Sequence, residues 1–294
     1  MNALLSPHPD RMTPQELRLR LPHLELAAQA WGDPGRPPLL AVHGWLDNAA
    51  SFSALAPLLA EQFYVVALDW PGHGRSQHRP PGTWYHYVDY ADDLHGAVQA
   101  LGWSRFTLLG HSLGGAVASV YAAVHTQQIE RLWLIEALGP LTSQPELALD
   151  HLRRAYTQRN AYSEKTLRVF PSVDVAVKAR MAANDLQEAA ARVLVERGLR
   201  EVEGGWSWST DPRLTLASPL RFSEIQIQAA LRGIEAPGLL ILAEPATSYL
   251  PRDIMDARAA CVPTLQVLHL PGHHHLHLED PQTVARALLD NVGA

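Results

Sequence analysis

Short, continuous apolar runs recur along this chain, and segments with helical periodicity separate them. A strand that is apolar on both faces belongs inside a parallel sheet, because helices cover both faces of such a sheet. Parallel neighbours also need a long connection, which is usually a helix. The sequence therefore predicts an α/β fold with a mostly parallel central sheet and helices on both faces. The apolar runs are 38–42 (PLLAV), 63–68 (FYVVAL), 106–109 (FTLL), 132–135 (LWLI), 239–243 (LLILA) and 265–270 (LQVLHL).

The connecting segments have the spacing expected of amphipathic helices. Between Tyr87 and Leu101, apolar residues recur every three or four positions, which predicts a helix with one buried face. Between residues 17 and 26, leucines alternate with polar residues, and this pattern is typical of a hairpin with one exposed face. The other predicted helices are 49–60, 113–125, 251–260 and 281–291.

The pattern changes in the middle of the chain. Residues 140–215 contain helical stretches at 145–160 and 185–198, and they lack the short apolar strands found elsewhere. We therefore predict a helical cap, called the insertion below, at 140–215. Residues 1–139 and 216–294 then form the core that carries the sheet.

Composition excludes several classes of function. The net charge is −6 and no run of basic residues occurs, so a nucleic-acid partner is not expected. Cys261 is the only cysteine, which excludes an internal disulfide and fits a reducing compartment. No stretch reaches the roughly 18–20 apolar residues of a membrane span, and the first residues lack the basic start of a signal peptide. We expect a cytoplasmic protein without a membrane partner, and the sequence leaves its oligomeric state undetermined.

One motif has the spacing of a nucleophilic serine. Gly110-His-Ser112-Leu-Gly114 directly follows the run FTLL and directly precedes a predicted helix. A sharp strand-to-helix turn can hold a serine hydroxyl clear of the sheet, and flanking glycines remove the Cβ atoms that would clash there. The context favours a nucleophile at Ser112 over an ordinary glycine-rich turn.

The loop after 38–42 supplies the second part of such a site. His43-Gly44-Trp45 follows this run, at the place where hydrolases of this design bind a developing oxyanion. We expect the backbone N–H groups of Leu113 and Trp45 to be the two donors: Leu113 begins a predicted helix, whose first N–H groups are unpaired, and the loop after the earlier strand supplies the second donor in sites of this type.

Taken together, four motifs resemble the α/β-hydrolase fold superfamily, and within it the serine hydrolase-like proteins. They span nearly the whole predicted core in the order typical of that superfamily. The resemblance is specific for the fold but weakly specific for the substrate, since this fold carries many chemistries. The motifs are HGWLDN (43–48), LDWPGHGRS (68–76), GHSLGG (110–115) and GHHHLH (272–277).

The resemblance places the catalytic base in the loop after the last strand. Family members have Gly-x-His there, with an acidic residue and a proline following, and this spacing selects His274 among the four histidines of the loop. An imidazole can accept the serine proton and return it to the leaving group. Neighbouring histidines in an extended loop diverge, so we expect no metal site here.

The triad acid departs from the common pattern of the superfamily. Where most members have an aspartate after the penultimate strand, this chain has Ala246, and Glu244 is the nearest carboxylate. Some members instead use an acid after the strand that follows the nucleophile helix. Glu136 lies there, directly after LWLI, and a carboxylate at a buried strand end needs a partner such as His274. We favour Glu136, with Glu244 as the alternative.

These residues predict a serine hydrolase that cleaves small to medium carboxylic esters, thioesters or lactones through an acyl-enzyme, without a cofactor. A serine-dependent C–C hydrolase or perhydrolase on the same fold is an alternative, and a non-catalytic binding protein is a second one. The insertion would cover the serine. The residues expected to contact substrate are His43, Trp206 and Trp208.

Overall fold

The computed structural model describes residues 13–162, 167–247 and 250–292. Its centre is an eight-stranded sheet with the strand order β1-β2-β4-β3-β5-β6-β10-β11. The first two strands pair antiparallel, as do β2 and β4, and all later pairs are parallel. The strands of this sheet are β1 (Gln15–Arg20), β2 (Glu25–Trp31), β3 (Pro38–Val42), β4 (Tyr64–Leu68), β5 (Phe106–His111), β6 (Ile129–Ile135), β10 (Gly238–Glu244) and β11 (Leu265–Pro271).

Helices cover both faces of the central strands, and this explains why β3, β4 and most of β10 are apolar and buried. On β3, Leu40 and Val42 enter one core, whereas Leu39 and Ala41 enter the core on the opposite face. The first core is closed by α2 (Tyr87–Leu101), α3 (Leu113–Val124), α7 (Glu224–Leu231) and α8 (Arg252–Ala259). The second core is closed by α1 (Ala56–Leu59), α9 (Leu276–Glu279) and α10 (Pro281–Asp290).

The predicted α/β fold with a mostly parallel sheet is confirmed, and the first hairpin is β1 and β2. The segment 49–60 differs from its prediction as one helix. It consists of a 3₁₀ turn at Ala49–Phe52 followed by the short helix α1. Pro57 lies in the first turn of α1, where its missing N–H is tolerated. A proline inside a helix would disrupt it, so one continuous helix cannot run from Ala49 through Pro57.

The insertion contains both helices and strands. Two of its three helices pack around a small apolar cluster that includes Phe170, Val177 and Leu194. The sequence predicted helices here and no apolar strand of the core type, and the structure adds a small antiparallel sheet in the order β7-β9-β8. These strands are two to four residues long, too short for an alternating pattern to be visible. The elements are α4 (Ala148–Asn160), β7 (Val169–Phe170), α5 (Val173–Asn184), α6 (Glu188–Gly198), β8 (Leu199–Val202) and β9 (Gly205–Trp208).

Within the described ranges, none of the helices combines the length and the apolar character that crossing a bilayer requires.

Candidate active site

Ser112 lies in a tight turn between β5 and α3. Its backbone has φ 52° and ψ −116°, a conformation that non-glycine residues rarely adopt. The turn is crowded: a Cβ on Gly114 would lie 2.0 Å from the carbonyl oxygen of Val42, and a Cβ on Gly110 would lie 2.6 Å from that of Gly114. Only glycine fits at both positions, so the two glycines of the motif are what permits the turn.

The two predicted oxyanion donors lie at the ends of neighbouring strands. Leu113 is the first residue of α3, where backbone N–H groups have no acceptor within the helix. Trp45 follows β3, which pairs directly with β5. Its side chain is 52% exposed, and its indole N–H donates to the carbonyl oxygen of Leu214 at 3.1 Å. Trp45 belongs to the loop 43–47, which we call the oxyanion loop because it carries this predicted donor.

His274 and Glu136 are in contact. His274 lies in the loop 272–275 after β11, called the base loop, and its Nδ1 lies 3.1 Å from Oε2 of Glu136. Glu136 directly follows β6, and its side chain is only 3% exposed. Its other carboxylate oxygen accepts the backbone N–H of Ala243 at 2.5 Å. Both oxygens of this buried carboxylate thus have a partner, and the contact fixes the orientation of the imidazole ring.

Glu244 lies in a different environment. Its carboxylate is 60% exposed and pairs with Arg252 at 3.3 Å. Glu136 and Ala246 line one small cavity, so the two positions at which the superfamily places its acid border the same space. Of the two carboxylates considered from the sequence, Glu136 is the one that the fold brings to His274.

Backbone strain is concentrated at this end of the sheet. Four non-glycine residues in the described ranges have left-handed φ angles, and three of them follow core strands: Leu46 (61°) after β3, Ser112 (52°) after β5 and Glu136 (56°) after β6. Such conformations persist only where the surroundings hold them, and they cluster at functional sites. The strained position at Leu46 had no signal in the sequence.

The three residues expected to contact substrate lie in two different places. His43 is fully buried, with Nδ1–H donating to the Gly44 carbonyl at 2.7 Å and Nε2 accepting the N–H of Trp70 at 3.1 Å. Both of its ring nitrogens are therefore occupied by the backbone. Trp206 and Trp208 are on β9 and pack against the apolar cluster of the insertion. That these residues contact substrate stays a prediction.

The other histidines near the site differ in exposure. His273 is exposed, whereas His275 and His277 are buried. His111, next to the serine, is fully buried, and its Nε2–H donates to the backbone carbonyl of His274 at 2.9 Å. Burial lowers the pKa of His277 to about 3 and holds that of His111 well below the ordinary value, so both rings are neutral near pH 7. No group of His, Cys, Asp or Glu side chains in the described ranges could hold a metal ion.

Two buried aspartates anchor the insertion, and sequence reasoning missed both contacts. Asp69, after β4, accepts the backbone N–H groups of Ala49 and Arg75, as its position in a turn suggests. It also receives a bidentate ion pair from Arg197 of α6 at 2.8–3.1 Å. Asp47 pairs with Arg180 of α5 through a single nitrogen–oxygen contact. No spacing rule links residues so far apart in sequence, so the pattern gave no signal for these pairs.

The comparisons with known proteins agree with the fold that carries this site. The α/β hydrolase fold family matches residues 37–194. A serine hydrolase-like protein of Danio rerio is 32% identical to this chain, over 95% of the chain and 89% of that protein. The crystal structure of a hypothetical protein of Pseudomonas aeruginosa is 43% identical, with a TM-score of 0.89 over 95% of this chain and 98% of the other. The thioesterase domain from the curacin biosynthetic pathway is 26% identical, with a TM-score of 0.81 over 94% and 99% of the two chains.

Proposed function

Because this chain belongs to the α/β hydrolase fold family and is similar over its length to serine hydrolase-like proteins, we propose that it is a serine hydrolase acting on carboxylic esters or thioesters. The observation that carries the proposal is the contact between His274 and the buried carboxylate of Glu136, at the strand end beside the strained Ser112. A nucleophile and an orienting acid at two adjacent strand ends, with a base in contact with that acid, are the parts needed for acyl transfer.

The first half-reaction forms an acyl-enzyme. The Ser112 hydroxyl oxygen attacks the carbonyl carbon of the ester while Nε2 of His274 takes the hydroxyl proton. The carboxylate of Glu136 accepts the Nδ1–H of His274, which leaves Nε2 as the basic nitrogen and stabilises the imidazolium that forms. The N–H groups of Leu113 and Trp45 bind the oxyanion of the tetrahedral intermediate. When the intermediate collapses, His274 returns the proton to the leaving alcohol or thiol.

The second half-reaction uses water. The oxygen of a water molecule attacks the acyl carbon while His274 takes a proton from that water, and a second tetrahedral intermediate forms in the same oxyanion site. Its collapse breaks the bond to the serine oxygen, which recovers the proton from His274. The carboxylic acid leaves, and the enzyme returns to its starting state.

The insertion is proposed to cover the serine and to shape the substrate pocket. Trp45 of the oxyanion loop reaches the end of the insertion through its hydrogen bond to Leu214, so the covering segment and the oxyanion loop are directly joined. The half-exposed indole of Trp45 offers an apolar surface to an acyl or alcohol group. The similarity to a thioesterase domain supports including thioesters among the substrates tested.

A fluorophosphonate probe tests the proposal directly. The expected result is covalent labelling of the wild-type protein at Ser112, with no labelling of a folded Ser112→Ala variant. A series of p-nitrophenyl esters and acyl thioesters of increasing chain length then measures kcat/KM and defines the pocket. A folded protein that refuses the probe at pH 8 would favour a binding protein. Labelling with turnover of a C–C substrate but no ester would favour the C–C hydrolase.

A further inference from the structure

A charged side chain of the insertion contacts the oxyanion loop. Arg180, on α5, pairs with Oδ1 of Asp47, and the two side chains are 12% and 1% exposed. Asp47 closes the oxyanion loop, since its backbone N–H donates to the carbonyl of Gly44 at 3.2 Å. The cation of the insertion is therefore attached to the segment that carries the proposed oxyanion donor Trp45.

The same carboxylate also holds the base loop. Oδ2 of Asp47 lies 3.2 Å from Nε2 of His275, whose side chain is 5% exposed. His275 directly follows His274, so its anchoring restrains the backbone of the proposed base. One aspartate thus joins three segments that are far apart in sequence: the oxyanion loop, the base loop and α5.

His111 also belongs to this buried cluster, where it lies between Asp47 and the base loop. Its Nδ1 lies 3.7 Å from Oδ2 of Asp47, and its Nε2–H donates to the carbonyl of His274 at 2.9 Å. The cluster packs tightly against the oxyanion loop: a Cβ on Gly44 would lie 3.0 Å from Nδ1 of His111 and 3.2 Å from Oδ2 of Asp47. A shift of either loop would therefore be transmitted to the other.

Opposite charges hold the cluster together. Burial alone would raise the pKa of Asp47, but the neighbouring His275 and Arg180 hold it well below the ordinary value, so Asp47 is an anion. Removing one partner from a buried ion pair leaves an uncompensated charge, which proteins tolerate poorly. The strained Leu46, with φ 61°, precedes Asp47 and needs such a restraint to keep its conformation.

We propose that Arg180 is a positioning residue that acts through Asp47 and His275 to align the oxyanion loop with the base loop. The insertion then takes part in arranging the reacting groups in addition to covering them. The kinetic half of this inference rests on the proposed hydrolase function, whereas the mechanical linkage between the loops does not.

The test compares two arginines of the insertion. Arg180→Met removes the charge but keeps a long apolar stem. Arg192→Met is the matched control, because Arg192 lies on α6 in exposed ion pairs with Asp174 and Glu188. We expect Arg180→Met to lower kcat about 10- to 100-fold with KM changed less than about twofold, since small misalignments of reacting groups cost this much. The control should stay within about twofold of wild type, and Arg180→Lys, which restores the cation, should recover part of kcat.

A second readout does not depend on activity. Hydrogen exchange followed by mass spectrometry should show faster exchange in both residues 44–47 and residues 273–276 of Arg180→Met, and unchanged exchange in the Arg192→Met control. If Arg180→Met does not fold, Arg180→Lys carries both measurements, with smaller effects in the same direction. A folded variant with wild-type kcat, a change in KM alone, or unchanged exchange in the base loop would each overturn the inference. A wild-type protein that neither hydrolyses esters nor reacts with the fluorophosphonate would refute the hydrolase proposal, and the exchange data would still decide the linkage.

Discussion

Replacing Glu136 by glutamine tests the most specific part of the proposed mechanism. The carboxylate accepts from two donors, the backbone N–H of Ala243 and the Nδ1–H of His274. A glutamine has one acceptor oxygen and one NH₂ group on the same side-chain end. Because the fixed N–H of Ala243 takes the oxygen, the NH₂ group faces His274 and forces its Nδ1 to become an acceptor. The proton then moves to Nε2, which can no longer act as the base.

The size of the effect follows from the geometry. A carboxylate 3.1 Å from an imidazolium nitrogen stabilises it by about 5 kcal/mol at an effective dielectric constant of about 20. Since each 1.4 kcal/mol corresponds to roughly a factor of ten, the upper limit is close to a 10⁴-fold loss in rate. The His274 side chain is 17% exposed, so solvent screens part of this interaction. We expect kcat of Glu136→Gln to fall about 10²- to 10⁴-fold.

The assay is the initial rate of p-nitrophenyl ester hydrolysis at pH 8, together with the rate of fluorophosphonate labelling. Both rates should fall in Glu136→Gln while the thermal unfolding temperature shows that the variant is folded. Glu244→Gln is the matched control, since its carboxylate is 60% exposed and pairs with Arg252. It should keep at least about half of the wild-type rate. Full turnover by Glu136→Gln, or a large loss confined to Glu244→Gln, would refute the assignment of the acid.

Two further predictions concern stability. Burial lowers the pKa of His43 to about 4 and that of His277 to about 3, so the unfolded chain binds more protons than the folded one as the pH falls below about 6.5. The stability contributed by these two neutral histidines should therefore be complete above that pH. The free energy of unfolding should fall between pH 6.5 and 4.5, by up to about 1.4 kcal/mol per pH unit for each histidine. Urea titrations that give equal values at pH 7 and 5 would contradict this. Arg197→Met leaves the buried Asp69 without its cation and should cost about 3–5 kcal/mol, whereas the exposed Arg192→Met should leave the free energy of unfolding nearly unchanged. Similar losses in the two variants would count against the buried pair.

The sequence predicted the sheet well because a strand covered on both faces must be apolar at every position. Residues such as Leu39 and Leu40 enter opposite cores, so no polar residue interrupts the run. The turn at Ser112 could also be predicted, since the glycines around it are required by close local contacts. In both cases the information lies in a few consecutive residues.

Contacts between distant segments could not be predicted in this way. Nothing near Asp47 in the sequence points to Arg180 or to His275, although the fold brings them together. The burial of His43 shows the same limit. The loop after β4 covers its ring and the N–H of Trp70 takes its second nitrogen, and no neighbouring residue in the sequence indicates either contact.

Placing the acid after β6 has a consequence for how this scaffold can change. The proposed nucleophile and acid now come from a single β–α–β unit, β5-α3-β6, so their relative placement depends on local packing around one crossover helix. Of the three proposed triad residues, only His274 has to come from a remote part of the chain. Under this assignment the turn after β10, with Ala246 in place of an aspartate, carries no reacting group, although it borders the same small cavity as Glu136. Laboratory evolution of substrate preference could begin at that turn, because no proposed triad residue lies in it.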